Sequence, residues 1–186
     1  VIRVTGGSVR GKKLKGPKGT AFRPTTGRVK EYIFNILGGT LQDAGVLDLF
    51  SGSGSLGIEA LSRGARQVTF IEQEFSHARL IEENLTACRF SEISRVYRGN
   101  VFTHLERMHH ASMRFDLVLA DPPFKAKYHQ QILETLNRFP VLNKKGLCVI
   151  EHENNDPAVN TAGFELEKIR TFGHVTVSMY LFNQEG

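Results

Sequence analysis

Cysteine is scarce in this 186-residue chain, which has only two. Cys88 falls in a helical pattern and Cys148 in a strand pattern, far apart and without Cys-x-x-Cys spacing, so neither a disulfide framework nor a metal site is expected. Long apolar runs are also missing. No stretch approaches the length that spans a bilayer, and the first residues lack the apolar core of a signal peptide. The expectation is a cytoplasmic, monomeric protein with no membrane and no metal partner, long enough to bury the core of one domain.

A third absence is local. Residues 1–30 hold no Asp or Glu but nine cations: Arg3, Arg10, Lys12, Lys13, Lys15, Lys18, Arg23, Arg28 and Lys30. The net charge of +5 is thus +9 in this block and −4 in the rest of the chain. Such a block attracts phosphates through counterion release and points to a polyanion, although a solvated, mobile arm with no specific target would have the same composition.

Along the chain, Val1–Thr5 and Ser8–Leu14 read as two extended runs split by Gly6-Gly7, a hairpin signal. Arg23-Pro24-Thr25-Thr26 then leads into an amphipathic helix with Val29, Ile33, Ile36 and Leu37 on one face, Thr25 or Thr26 as its N-cap and Gly38-Gly39 at its end. From Val46 onward, strands are expected at Val46–Phe50, Gln67–Glu72, Arg95–Arg98, Phe115–Ala120 and Leu147–Glu151. Helices are expected between them at Leu56–Arg63, Phe75–Cys88, Val101–Met108 and Tyr128–Phe139. Phe164–Phe172 and His174–Phe182 are too close for a parallel crossover and should pair antiparallel. The whole predicts an α/β fold of the Rossmann-like kind. A mainly parallel seven-stranded sheet ends in a C-terminal antiparallel hairpin, and a basic N-terminal β-hairpin extension (residues 1–22) precedes a main domain (residues 23–186).

Between the first strand and the next helix stands Leu47-Asp48-Leu49-Phe50-Ser51-Gly52-Ser53-Gly54-Ser55-Leu56-Gly57. Gly52, Gly54 and Gly57 make a G-x-G-x-x-G turn, and Glu72 ends the following strand about 20 residues beyond the first glycine, where a carboxylate can accept from ribose hydroxyls. NAD and S-adenosylmethionine both carry an adenosine. Asp48 separates them: its charge would repel a pyrophosphate but suits a methionine ammonium, or else a loop amide. Cofactor contacts are therefore assigned to Asp48, Phe50, Gly52, Gly54, Gly57 and Glu72. Asn100 is added either as an adenine contact or as the cap of the helix from Val101, two roles that do not exclude each other.

Asp121-Pro122-Pro123-Phe124 follows the fourth strand, at the sheet end where α/β folds place chemistry. An exocyclic base amine is a poor nucleophile because its lone pair is delocalised into the ring. Asp121 and the Pro122 carbonyl can accept its two hydrogens, Pro123 stiffens the turn, and Phe124 offers a face to the base. A proline turn capping the next helix is the plainer alternative. The seven histidines, His109, His110 and His152 among them, read as solvated surface.

The chain resembles the RsmD family of 16S ribosomal RNA methyltransferases over nearly its whole length. The resemblance is carried by Arg3-Val4-Thr5-Gly6-Gly7 with Arg10-Gly11, Arg23-Pro24-Thr25 with Arg28-Val29-Lys30-Glu31 and Phe34-Asn35, the Asp48 to Gly57 loop, Leu61-Ser62-Arg63-Gly64-Ala65, and Asp121-Pro122-Pro123-Phe124. It implies a class I methyltransferase fold, S-adenosylmethionine as methyl donor, and the two-amino group of a guanine in 16S rRNA of the small ribosomal subunit as target. It also implies that Arg10, Lys12, Lys13, Arg23, Thr25 and Arg28 face the RNA. Lys30 stands where many relatives carry Arg, a change that matters little for a phosphate contact. A DNA adenine or cytosine amine methyltransferase, an RNA-binding module without activity and, more distantly, an NAD oxidoreductase are the rival expectations.

Overall fold

The computed structural model describes residues 2–17, 26–124, 128–156 and 161–183. In chain order the elements are β1 (Ile2–Arg3), β2 (Lys13–Leu14), α1 (Gly27–Leu37), β3 (Gly45–Leu49), α2 (Ser55–Ser62), β4 (Gln67–Glu72), α3 (Phe75–Cys88), β5 (Ser94–Arg98), α4 (Val101–His110), β6 (Phe115–Ala120), α5 (His129–Arg138), β7 (Leu142–Glu153), β8 (Phe164–Phe172) and β9 (Val175–Phe182). β3 is buried at every position, as a strand covered on both faces must be, which is why it reads as a continuous apolar run rather than an alternation.

The seven long strands form one sheet in the order β5-β4-β3-β6-β7-β9-β8. β3, β4, β5, β6 and β7 are parallel neighbours, whereas β9 runs antiparallel between β7 and β8. One apolar cluster gathers α1, α2 and α3 residues such as Ile33, Ile58 and Ile81. The other gathers Leu105 of α4, Leu133 of α5 and Tyr180 of β9. The expected sheet and closing hairpin are present. The strand order switches sides at β3, with β4 on one flank and β6 on the other, and all three run parallel, so β3 and β6 end side by side with Leu49 opposite Ala120.

Three expectations are corrected. Gly6-Gly7 does not make a two-residue hairpin turn: Ile2 pairs with Leu14 and Arg3 with Lys13, and the chain between them runs across α2. Gly7 has φ +77°, and a Cβ there would collide with the Ser62 carbonyl, so the glycine serves close approach to α2. β7 begins at Leu142 rather than Leu147, its exposed Asn143-Lys144-Lys145 hidden by their polarity, with a register shift against β6.

The third correction concerns His152, which is not solvated: it is 3% exposed within β7, and His129 of α5 is 0% exposed. The two rings stack 4.1 Å apart, His129 Nε2 meets the Tyr180 hydroxyl at 2.7 Å, and His152 Nε2 meets Ser178 Oγ at 2.8 Å. Burial, helped by its neighbour His152, pushes His129 down to about 4, and burial lowers His152 as well. The unfolded chain takes up protons near pH 6.5, its ordinary histidine value, before the folded chain can. This contribution to stability is complete above that pH and is lost as pH falls toward 4. Urea midpoints measured across that interval should drop, and His129→Asn should flatten the slope.

Candidate active site

The pairing of Leu49 with Ala120 sets two loops next to each other, residues 50–54 after β3 and residues 121–124 after β6. The first is tied down from several sides. Ser51 Oγ donates to the Asp48 carbonyl at 2.7 Å and to the Ile71 carbonyl at 3.2 Å, while Gly54 N–H donates to the Ser51 carbonyl at 2.7 Å. Gly52 (φ +55°) and Gly54 (φ +75°) take left-handed conformations. So does Phe50 (φ +56°), a strained state for a residue with a side chain.

Each expected cofactor carboxylate has a backbone partner. Asp48 is 1% exposed, and its Oδ2 accepts from Gly57 N–H at 2.9 Å, so the loop amide is its partner here. Burial pushes its carboxyl up to about 8; the Gly57 bond opposes this, and the charges of Asp121 and Glu72 add to it. Asp121 and Glu72 thus both act on Asp48, and a cationic ligand beside it would offset the cost of its buried charge. Glu72 accepts from Gly52 N–H at 2.7 Å and from Glu74 N–H at 2.8 Å, which fixes the turn from the neighbouring strand.

Gly57 lies where a Cβ would run into the Phe70 ring and approach Asp48 Oδ2. Gly57→Ala should therefore destabilise the fold by about 1–3 kcal/mol through overpacking. Thermal melts in parallel with donor-binding titrations will show whether both fall together, as a shared site requires.

In the second loop Asp121 and Phe124 are half-buried, Pro122 is buried and Pro123 is exposed. Asn100 is exposed and caps α4, its Oδ1 accepting from Phe102 N–H at 2.9 Å and Thr103 N–H at 3.2 Å, which leaves its amide NH2 for other use. Phe50 stacks on Tyr128 at 5.4 Å, and Phe102 stands edge-on to both at 6.2 and 5.3 Å. Sequence reasoning missed Phe102 and Tyr128 as part of this cluster; their signal is position, each beside the start of a helix that follows a site strand.

Of the expected RNA contacts, Arg10, Lys12, Lys13 and Arg28 are exposed, without an ion-pair partner among the described residues. Arg23 and Thr25 lie outside the described residues. Thr26 caps α1, accepting from Val29 N–H at 3.4 Å. Lys30 is not a surface cation: it is 2% exposed and its Nζ lies 3.2 Å from Glu59 Oε2. Lys15 pairs with Glu83 at 2.8 Å. Among the described residues no group of acidic, His or Cys side chains is placed to hold a metal, and no helix is long and apolar enough to cross a membrane.

A sheet of this strand order, with one antiparallel strand inserted next to its end and a glycine turn after its central strand, is the class I methyltransferase fold. The chain belongs to the RsmD family: the family described as "Conserved hypothetical protein 95" matches residues 2–181. It is 34% identical over 187 residues to the Ribosomal RNA small subunit methyltransferase D of Escherichia coli, covering 100% of this chain and 92% of that one. The protein of the same name from Haemophilus influenzae is also 34% identical, over 180 residues, with 96% and 93% covered. Among solved structures, "Putative methyltransferase yhhF from Escherichia coli" superposes with a TM-score of 0.88 at 33% identity, covering 99% of each chain.

Proposed function

We propose that this chain is an S-adenosylmethionine-dependent methyltransferase that methylates rRNA, and that its target is the exocyclic two-amino group of a guanine in 16S rRNA of the small ribosomal subunit. The observation that carries it is the juxtaposition, at the ends of β3 and β6, of the glycine turn and Asp121-Pro122-Pro123-Phe124. The names of the relatives, ribosomal RNA small subunit methyltransferase D, support the substrate.

The residues present fit the donor. Left-handed Gly52 turns the backbone tightly after β3, Glu72 holds that turn with a carboxylate that can also accept from ribose hydroxyls, and Asp48, whose charge burial disfavours, would gain from a cation such as the methionine ammonium. When bound, S-adenosylmethionine supplies an electrophilic methyl on a sulfonium, which leaves as a thioether. Asp121 and the Pro122 carbonyl hold the two amine hydrogens, so that the nitrogen lone pair turns out of conjugation toward that methyl. As the N–C bond forms and the C–S bond breaks, Asp121 takes the amine proton and later gives it to solvent. Phe124 covers the base face, a contact worth about 1–3 kcal/mol toward the cost of unstacking. Arg10, Lys12, Lys13 and Arg28 supply phosphate contacts.

Mapping methylated nucleotides in 16S rRNA from cells with and without the protein tests this. One guanine should lose its two-amino methyl group. Methylation of duplex DNA but not of rRNA or small subunits would establish the DNA reading instead, and binding of NAD but not S-adenosylmethionine would reject both.

A further inference from the structure

The N-terminal segment and the glycine turn are joined at two points by buried side chains that the methyl transfer itself does not use. Asn84 of α3 is 2% exposed: its Oδ1 accepts from Lys15 N–H at 2.9 Å, and its Nδ2 donates to the Lys15 carbonyl and to the Ser53 carbonyl, both at 3.0 Å. Lys30 Nζ donates to the Arg3 carbonyl and, at 3.1 Å, to Ser55 Oγ. Ser53 lies in the glycine turn and Ser55 opens α2. Arg3 and Lys15 bracket the stretch that exposes Arg10, Lys12 and Lys13.

Glu59, 0% exposed, completes the joint. It accepts from Thr5 N–H, Thr5 Oγ1 and Gly6 N–H, each at 2.8 Å, and pairs with Lys30 and Arg63. Single side chains thus satisfy polar groups of the basic segment and of the donor turn at once. Neither can shift without leaving a buried donor or acceptor unmatched.

We propose that Lys30 and Asn84 are positioning residues that link RNA engagement by the basic segment to donor affinity at the glycine turn. This rests on the function proposed above. RNA phosphates held by the segment favour the bonded arrangement of Lys30 and Asn84 seen here, and through them that of Ser55 and Ser53. Arrangements in which these joints are broken become less populated, so the donor meets the turn in its bonded form more often and binds more tightly. Linkage is reciprocal: donor raises RNA affinity by the same factor.

Equilibrium dialysis of labelled S-adenosylhomocysteine, with and without saturating small ribosomal subunits from cells lacking the protein, reads this link. The wild-type protein should bind it at least about 5-fold more tightly in the presence of subunits. Lys30→Met and Asn84→Ala should bring that ratio close to one, and Lys30→Arg should restore it. Ser55→Ala, which removes only the hydroxyl end of one joint, should lower the ratio without disturbing Glu59. A wild-type ratio of one, or variants that keep the full ratio, overturns the link while leaving the proposed function standing. Failure of the wild-type protein to bind either ligand rejects the proposed function, and the link with it.

Discussion

Asp121→Ala is expected to lower kcat by about 10²- to 10⁴-fold, the usual weight of a positioned proton acceptor. Donor binding should stay within a few-fold of wild type. The loss corresponds to about 3–5 kcal/mol of transition-state stabilisation. It arises because the amine would face only the Pro122 carbonyl, with one hydrogen unheld and no group to take the proton. Asp121→Asn should fall between the two, since its amide oxygen still accepts a hydrogen bond but carries no charge. Single-turnover methyl transfer to small subunits, alongside a calorimetric titration with the donor, separates chemistry from binding. Activity within ten-fold of wild type would remove the 121–124 loop from the reaction. Asp121 is also one of the charges that keep Asp48 raised, so the titration should show a small change in pH dependence even where affinity holds.

Glu59→Ala should be the most damaging substitution for stability, costing about 3–5 kcal/mol by leaving buried Lys30 without its counter-charge. Burial alone would raise the Glu59 carboxyl, but the donors from Thr5, Arg63 and Lys30 outweigh it and hold the group below its ordinary value. For Lys30, burial dominates and lowers the ammonium, with Glu59 acting against it. Glu59→Leu with Lys30→Met should recover only part of the loss, because the N–H groups of Thr5 and Gly6 would still lack their acceptor. Urea denaturation of the wild type, Glu59→Leu, Lys30→Met and the double variant closes the cycle. A single-mutant loss below about 1 kcal/mol would mean that the cluster contributes no more than a surface pair.

The sheet, its helices and the two site loops were legible because their signals are local: strands buried on both faces, glycines at fixed spacing, a proline pair after an apolar run. What escaped notice was polar and non-local. Lys30, Glu59 and His152 belong to residue types that usually face water, and their partners Ser55, Thr5 and Ser178 stand 25 to 54 residues away in the chain. Some of this left a trace. Asn84 interrupts the buried stripe of Ala78, Ile81, Leu85 and Cys88, and Glu59 sits in a helix whose every residue is buried. A polar residue within such a stripe marks a bonded partner elsewhere. Gly6-Gly7 misled for the opposite reason, since glycine that serves close packing has the same letter as glycine that serves a turn.

The sheet's outer edge has a consequence for how the protein behaves in a crowded solution. Apart from Phe164 and Phe172 at its ends, β8 is exposed along its length. It carries Glu165, Glu167, Lys168 and Arg170 there, and its register shifts against β9 between Leu166 and Lys168. An incoming strand would have to match that irregular spacing and bring the right charge to each position in turn. Although the strand also exposes Leu166 and Ile169, its charges and shifted register oppose strand addition at this edge of the seven-stranded sheet.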